Sequence, residues 1–275
     1  MSDSRPWGSA YYSERSNPVH RETWGHLLQQ KCPSLKEDVT RAVNHWNQQV
    51  RDHLRGETAL KLTIGNDTIK VPVAVVDGLP LPFAEVLGEF ENWPPLLPNR
   101  EVLKKSIDGL LVTEQHFNPL QDLVPADIDR EEVSAMHQWL VRILDKLDQS
   151  EIIRRLCGIQ QDILSAYFFH VPKVEIYWMA IGVASVLFDI PVEALTIVVL
   201  AHELAHAYTH LGKDIDGKQW ETPAFAQSDL RIVEGLAQFY TEAVCKKLER
   251  RYQAALAAYE SLLKNQSEPY TVQIG

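Results

Sequence analysis

The sequence predicts a mainly α fold with a small β-hairpin or sheet, an α+β architecture, on three observations. Apolar residues recur at helical spacing in stretches near 34–54, 129–148, 176–188, 191–211 and 230–264. Residues 58–76 alone switch clearly to period two, the repeat of a half-buried strand. At 275 residues, 45% hydrophobic and 23% charged, the chain has the size and composition to bury a sizeable core.

Residues 1–20 are polar and carry no apolar run, so they are expected to form a loosely held arm and no secretory signal. Ser34-Leu35-Lys36-Glu37 has capping-box form, and the helix it opens should run to about Leu54, before Gly56. Trp46 and Val50 repeat on its core side, whereas His45 and His53 lie among polar residues and read as surface. Leu60 to Ile64, a turn at Gly65-Asn66-Asp67, and Thr68 to Val71 read as a hairpin, with Pro72 keeping the second strand near an edge. A short helix at Phe83–Phe90, a Pro-rich connection at 93–98 and a helix at Glu101–Leu111 follow. Two prolines in 118–127 mark a boundary between an N-terminal α+β region, 1–122, and a helical region, 123–275.

Beyond the boundary, Asp129 can cap a helix to about Asp148, with Val133, Met136, Leu140, Ile143, Leu144 and Leu147 on its apolar face. A helix is expected from Glu151 to about Phe169, and another over 176–188, where Ile176, Met179, Val183 and Leu187 follow helical spacing. Val174 to Trp178 taken alone could be a strand, but the longer pattern favours helix. The uncharged run 176–188 is shorter than the roughly 20 residues of a membrane span. Pro191 suits a first helical turn, Glu193 complements the helix dipole, and only Thr196 is polar between Ala194 and Ala201. The helix 191–211 is therefore expected to be buried on every side. A polar connection, 212–229, contains a turn at Asp214-Ile215-Asp216-Gly217, and the last helices run from about Leu230 to Lys264.

Into that buried helix the sequence places His202-Glu203-Leu204-Ala205-His206. Residues four apart on a helix differ by about 40° and one turn, so two imidazoles can converge on one metal ion, with a carboxylate beside it. Glu234 opens Glu234-Gly235-Leu236-Ala237 on the next helical stretch. Together these residues resemble the gluzincins, zinc metallopeptidases whose third ligand is a glutamate on the helix after H-E-x-x-H. The resemblance covers about Ala194 to Val244. It implies a zincin-like helical core, Zn2+ held by His202, His206 and Glu234, and Glu203 as general base for a water at the open zinc position. Ile232, Val233, Leu236, Phe239, Tyr240 and Ala243 form an apolar stripe that would leave Glu234 on the opposite face. Gly235 counts for the ligand, because a mid-helix glycine costs about 1 kcal/mol against alanine and is best explained by close approach to the histidine helix. Some gluzincins carry an aspartate four residues after the glutamate; here that position is Gln238. His210 lies about 12 Å of helix rise from His202, too far to share one ion, and is expected nearby, lining the cleft or exposed. Tyr240, His210 and Tyr177 are candidates for stabilising an oxyanion.

A net charge of −10 argues against an extended nucleic-acid surface. Three scattered cysteines, Cys32, Cys157 and Cys245, fit a reducing, cytoplasmic setting. The expected function is hydrolysis of an intracellular protein or peptide substrate. The alternatives are a metallopeptidase-like module whose zinc is structural and which binds a partner, and a helical interaction protein with no metal.

Overall fold

A computed structural model describes residues 25, 28, 32–64, 67–68, 71–80, 83, 105, 108–109, 130–148 and 163–264. The expectations for 1–20, 84–90, 93–98, 118–127 and 151–162, and most of the helix expected at 101–111, fall outside them. In chain order the elements are α1 (Leu35–Thr58), β1 (Thr63–Ile64), β2 (Asp67–Thr68), β3 (Val73–Val76) and α2 (Arg130–Asp148). There follow β4 (Ser165–Phe168), β5 (Lys173–Tyr177), α3 (Trp178–Phe188), α4 (Val192–Leu211), α5 (Thr222–Ala226), α6 (Leu230–Leu248) and α7 (Ala254–Leu263). The fold is mostly helical with a small three-stranded sheet, as an α+β chain should be.

Helix α4 is the axis of the core. Helix α1 lays Val39, Ala42, Val43, Trp46, Val50 and Leu54 against it, α6 and α7 cover other sides, and the sheet contributes β4 and β5. This wrapping is what the uniformly apolar sequence of α4 requires, since each fully buried Leu, Ile or Val contributes about 1.5–3 kcal/mol over an exposed one. Its first turn is anchored from α1, where Trp46 Nε1 donates to Glu193 Oε1 at 2.8 Å. Both ends of α1 differ from expectation. Ser34 Oγ donates to Asp38 Oδ2 at 2.8 Å and caps no backbone N–H. The helix passes through Gly56 and stops at Ala59, which is left-handed at φ 54. Thr58 shapes the stop, its hydroxyl donating to the Leu54 carbonyl and accepting from the Leu60 N–H.

The sheet corrects the sequence reading in three places. Lys173–Tyr177 is a strand, so the helix expected over 176–188 starts only at Trp178. Ser165–Phe168 is also a strand, where the end of a helix from 151 was expected. The hairpin at 63–68 is only two residues a side, and Val73–Val76 pairs elsewhere, with Val174 to Tyr177. The strand order is β3-β5-β4, parallel between β3 and β5 and antiparallel between β5 and β4. The competing physics is tertiary: Ile176 satisfies a helical pattern and a strand pattern equally well, and pairing on both sides of β5 decides. Residues on either side of position 122 thus share one sheet, and α1 shares one core with α4.

Helix α2 spans the residues expected of it; of the described residues on its expected apolar face, Val133 is buried and Met136 is 48% exposed. Among the described residues no helix is long and apolar enough to cross a membrane. The turn expected at 214–217 is present, with Asp214 Oδ1 accepting from the N–H groups of Asp216 and Lys218 and Gly217 at φ 76.

Candidate metal centre

The two histidines meet because an unbroken helix puts them one turn apart on one face. Their rings stand edge to face, centroids 4.7 Å apart, and their Nε2 atoms are 3.1 Å apart. Helix α6 brings in the third group. Asp229 caps it by accepting from the Arg231 N–H, and one turn further on Glu234 points inward, 0% exposed. The Glu234 carboxylate lies 3.2 Å from His202 Nε2 through Oε2 and 3.5 Å from His206 Nε2 through Oε1. His202 and His206 are themselves only 8% and 4% exposed.

Glu234 arrives by a route the sequence reading did not foresee. The buried face of α6 is Val233, Glu234, Ala237, Gln238, Thr241, Val244, Cys245 and Leu248, while Ile232 and Phe239 are each 54% exposed. The expected apolar stripe is therefore rotated, and Glu234 belongs to the inward face. Gly235 also serves no close approach: a Cβ added there would meet nothing within 4 Å. The small residue on the packed side is Ala237, one turn after Glu234 and fully buried. Apolar patterning misplaced the face because α4 presents polar groups here, and a polar row opposite them can be satisfied in the interior.

The geometry can be tested against a metal. With ligand bonds of about 2.0–2.2 Å, tetrahedral zinc holds neighbouring donors about 3.3–3.6 Å apart. The Nε2 atoms of His202 and His206 are 3.1 Å apart, and a different oxygen of Glu234 faces each ring, Oε2 at 3.2 Å from His202 and Oε1 at 3.5 Å from His206, so the three side chains stand close to that spacing. Among the described residues the two oxygens of Glu234 face only the imidazoles of His202 and His206, so this buried carboxylate is stabilised by a positive charge held between the three side chains. His202, His206 and Glu234 therefore form a buried group that can hold a metal ion.

Glu203 sits beside this group and is wholly buried. Its Oε1 accepts a 2.5 Å hydrogen bond from Ser165 Oγ, contributed by β4, and its Oε2 has no partner among the described residues. Burial raises the Glu203 carboxyl above the usual range, against the opposing pull of His202, His206 and Ser165. Burial also acts to raise Glu234, but the adjacent imidazoles outweigh it and hold that carboxyl low. Two neighbouring glutamates are thus pushed in opposite directions, one suited to carry a proton and the other to remain an anion.

His210 is fully buried and stands apart from the three-residue group. Its Nδ1 pairs with Tyr167 Oη at 2.8 Å, its Nε2 with Thr222 Oγ1 at 3.0 Å, and its ring stacks on Phe225 with centroids 4.6 Å apart. Burial, with a smaller contribution from His170, holds its pKa down at about 4. Of the other oxyanion candidates, Tyr177 Oη donates to Glu175 Oε2 at 3.3 Å, and Tyr240 is partly buried with its ring against Phe239. The Gln238 main-chain carbonyl accepts from Tyr259 Oη at 3.4 Å.

Sequence reasoning missed Ser165 and Tyr167, because their segment read as helix. The usable signal was Ser165-Ala166-Tyr167-Phe168 followed, after a short break, by the alternating Lys173-Val174-Glu175-Ile176-Tyr177, which together make a hairpin. No protein-family profile, curated protein or solved structure matches this chain.

Proposed function

We propose that this chain is a zinc-dependent peptidase of the gluzincin type, acting on an intracellular protein or peptide. The observation that carries the reading is the convergence of His202, His206 and Glu234 with Glu203 adjacent on the same helix. Two imidazoles and one carboxylate suit zinc with one position left open, and zinc there supplies a Lewis acid and lowers the pKa of water. In this reading Glu203 accepts the proton of the attacking water through the carboxylate oxygen left unengaged, then delivers it to the leaving amine. Glu234 keeps its negative charge beside the imidazoles throughout. The burial of His202, Glu203, His206 and Glu234 strengthens each electrostatic interaction among them. The free thiols of Cys32 and Cys245 accord with the cytoplasmic setting proposed for the protein.

The test is paired. The purified parent should carry about one zinc per chain, and His202→Ala or His206→Ala should lose it. Glu203→Gln should keep the zinc and lose cleavage of labelled casein by about 10²-fold or more. Equal cleavage by parent and Glu203→Gln overturns the assignment of the base.

One observation favours a second reading, in which the metal is structural and the chain binds a partner. Glu203 and Glu234 are both 0% exposed, which suits a closed centre. That reading expects zinc retention with no cleavage in either protein.

A further inference from the structure

Glu203 is held in an asymmetric way. One oxygen is engaged by Ser165 at 2.5 Å and the other has no partner among the described residues. The donor comes from a different element, 38 residues earlier in the chain. Its position there is well determined. Ser165 pairs in register with Ile176 of β5, the neighbouring Leu164 carbonyl accepts from the Tyr177 N–H at 3.0 Å, and Ser165 is buried. Two residues along, on the same face of β4, Tyr167 makes a second tie to α4 through His210. The strand is thus bolted to the histidine helix at two points, and only the first touches the proposed base.

We propose that Ser165 is the positioning residue of Glu203: by occupying Oε1 it fixes the carboxylate plane and presents Oε2 as the oxygen that handles the proton. The proposal rests on the reading of Glu203 as general base. A carboxylate with both oxygens unengaged rotates about its terminal torsion, which has no strongly preferred setting. A strand-borne hydroxyl removes that freedom without adding a charge to the centre. The cost of misplacing a reacting group by about 1 Å is on the order of 10²-fold in rate.

The experiment uses the full chain and three variants, Ser165→Ala, Ser165→Thr and Glu203→Gln, with labelled casein as the probe. For Ser165→Ala, kcat should fall about 10- to 100-fold with KM unchanged and zinc content retained. Ser165→Thr keeps the hydroxyl on a residue suited to a strand and should restore most of the rate; it also guards against a fold that does not tolerate alanine. A second readout needs neither metal nor turnover. In metal-free protein labelled with carboxyl-¹³C glutamate, the Glu203 signal, assigned by its loss in Glu203→Gln, should move in Ser165→Ala and return in Ser165→Thr. Loss of cleavage in Glu203→Gln with none in Ser165→Ala, or an unmoved Glu203 signal, overturns the role of Ser165 alone. Equal cleavage by parent and Glu203→Gln overturns the base assignment beneath it.

Discussion

Removing the charge of Glu234 tests the metal centre through stability. The two imidazoles and the carboxylate already face one another at 3.1 to 3.5 Å, so only small side-chain adjustments are needed to gather them around one ion. A ligand that binds only the folded state stabilises it by RT ln(1 + [L]/Kd), about 2.7 kcal/mol at free metal one hundred times Kd. For a chain near this size 1 kcal/mol moves Tm by about 2–4 °C, so zinc should raise Tm by about 5–10 °C. Glu234→Gln keeps the shape and buried volume of the side chain but replaces an anionic ligand with a neutral amide. Its zinc increment should shrink to about 2 °C or less, as the remaining nitrogens bind too weakly to saturate. The assay is a thermal melt of chelator-treated parent and variant, with and without added zinc, at one protein concentration. An equal zinc increment in parent, Glu234→Gln and a His202→Ala control would refute the reasoning, since the metal would then be binding elsewhere.

Three further outcomes follow from the geometry. A Cβ on Gly212 would lie 2.3 Å from the Tyr208 carbonyl and 2.6 Å from Leu60 Cβ, so Gly212→Ala should lower stability by about 1–3 kcal/mol in urea melts. Ala59 is left-handed at φ 54, a conformation costing about 1–2 kcal/mol in a residue with a Cβ, so Ala59→Gly should leave stability unchanged or raise it by up to about 1 kcal/mol in the same assay. His210 has a folded pKa of about 4, below its ordinary value of 6.5, so the unfolded chain binds its proton first. Its stabilisation is complete above pH 6.5 and is lost as pH falls towards 4; His210→Gln should flatten that part of the Tm–pH curve, and an unchanged curve would contradict it.

The legible parts of this molecule are those whose physics is local. Helix α4 was readable because an apolar run that long has no other stable form, and its histidine pair because spacing on a helix is rigid. Glu234 does lie beside the two histidines, but not for the reason the sequence offered: Gly235 abuts nothing, and the inward face of α6 is the one carrying Glu234, Gln238 and Thr241. Periodicity counts apolar residues and cannot see that an opposing helix offers partners for polar ones. The sheet was hidden for a different reason. Val73–Val76 finds its partner at Val174–Tyr177, and a short apolar stretch takes strand form only when that distant partner is present. Ser165 was lost with it, since a serine in a presumed helix carries no sign that it faces a glutamate.

The parallel pairing of β3 with β5 also bears on how the chain is made. Val73 meets Val174, a separation of 174 − 73 = 101 residues, and Trp46 reaches Glu193 across 147. By contrast the β4–β5 hairpin and the α4–α6 contact close over short spans, so they can form soon after synthesis. Helix α1 and strand β3 leave the ribosome 100 residues or more ahead of these partners in β5 and α4. Until those partners emerge, the Val39, Val43, Trp46 and Val50 face of α1 stays open to solvent and to other nascent chains. Chaperone demand during translation should therefore concentrate on α1 and fall only when residues near 200 have cleared the exit tunnel.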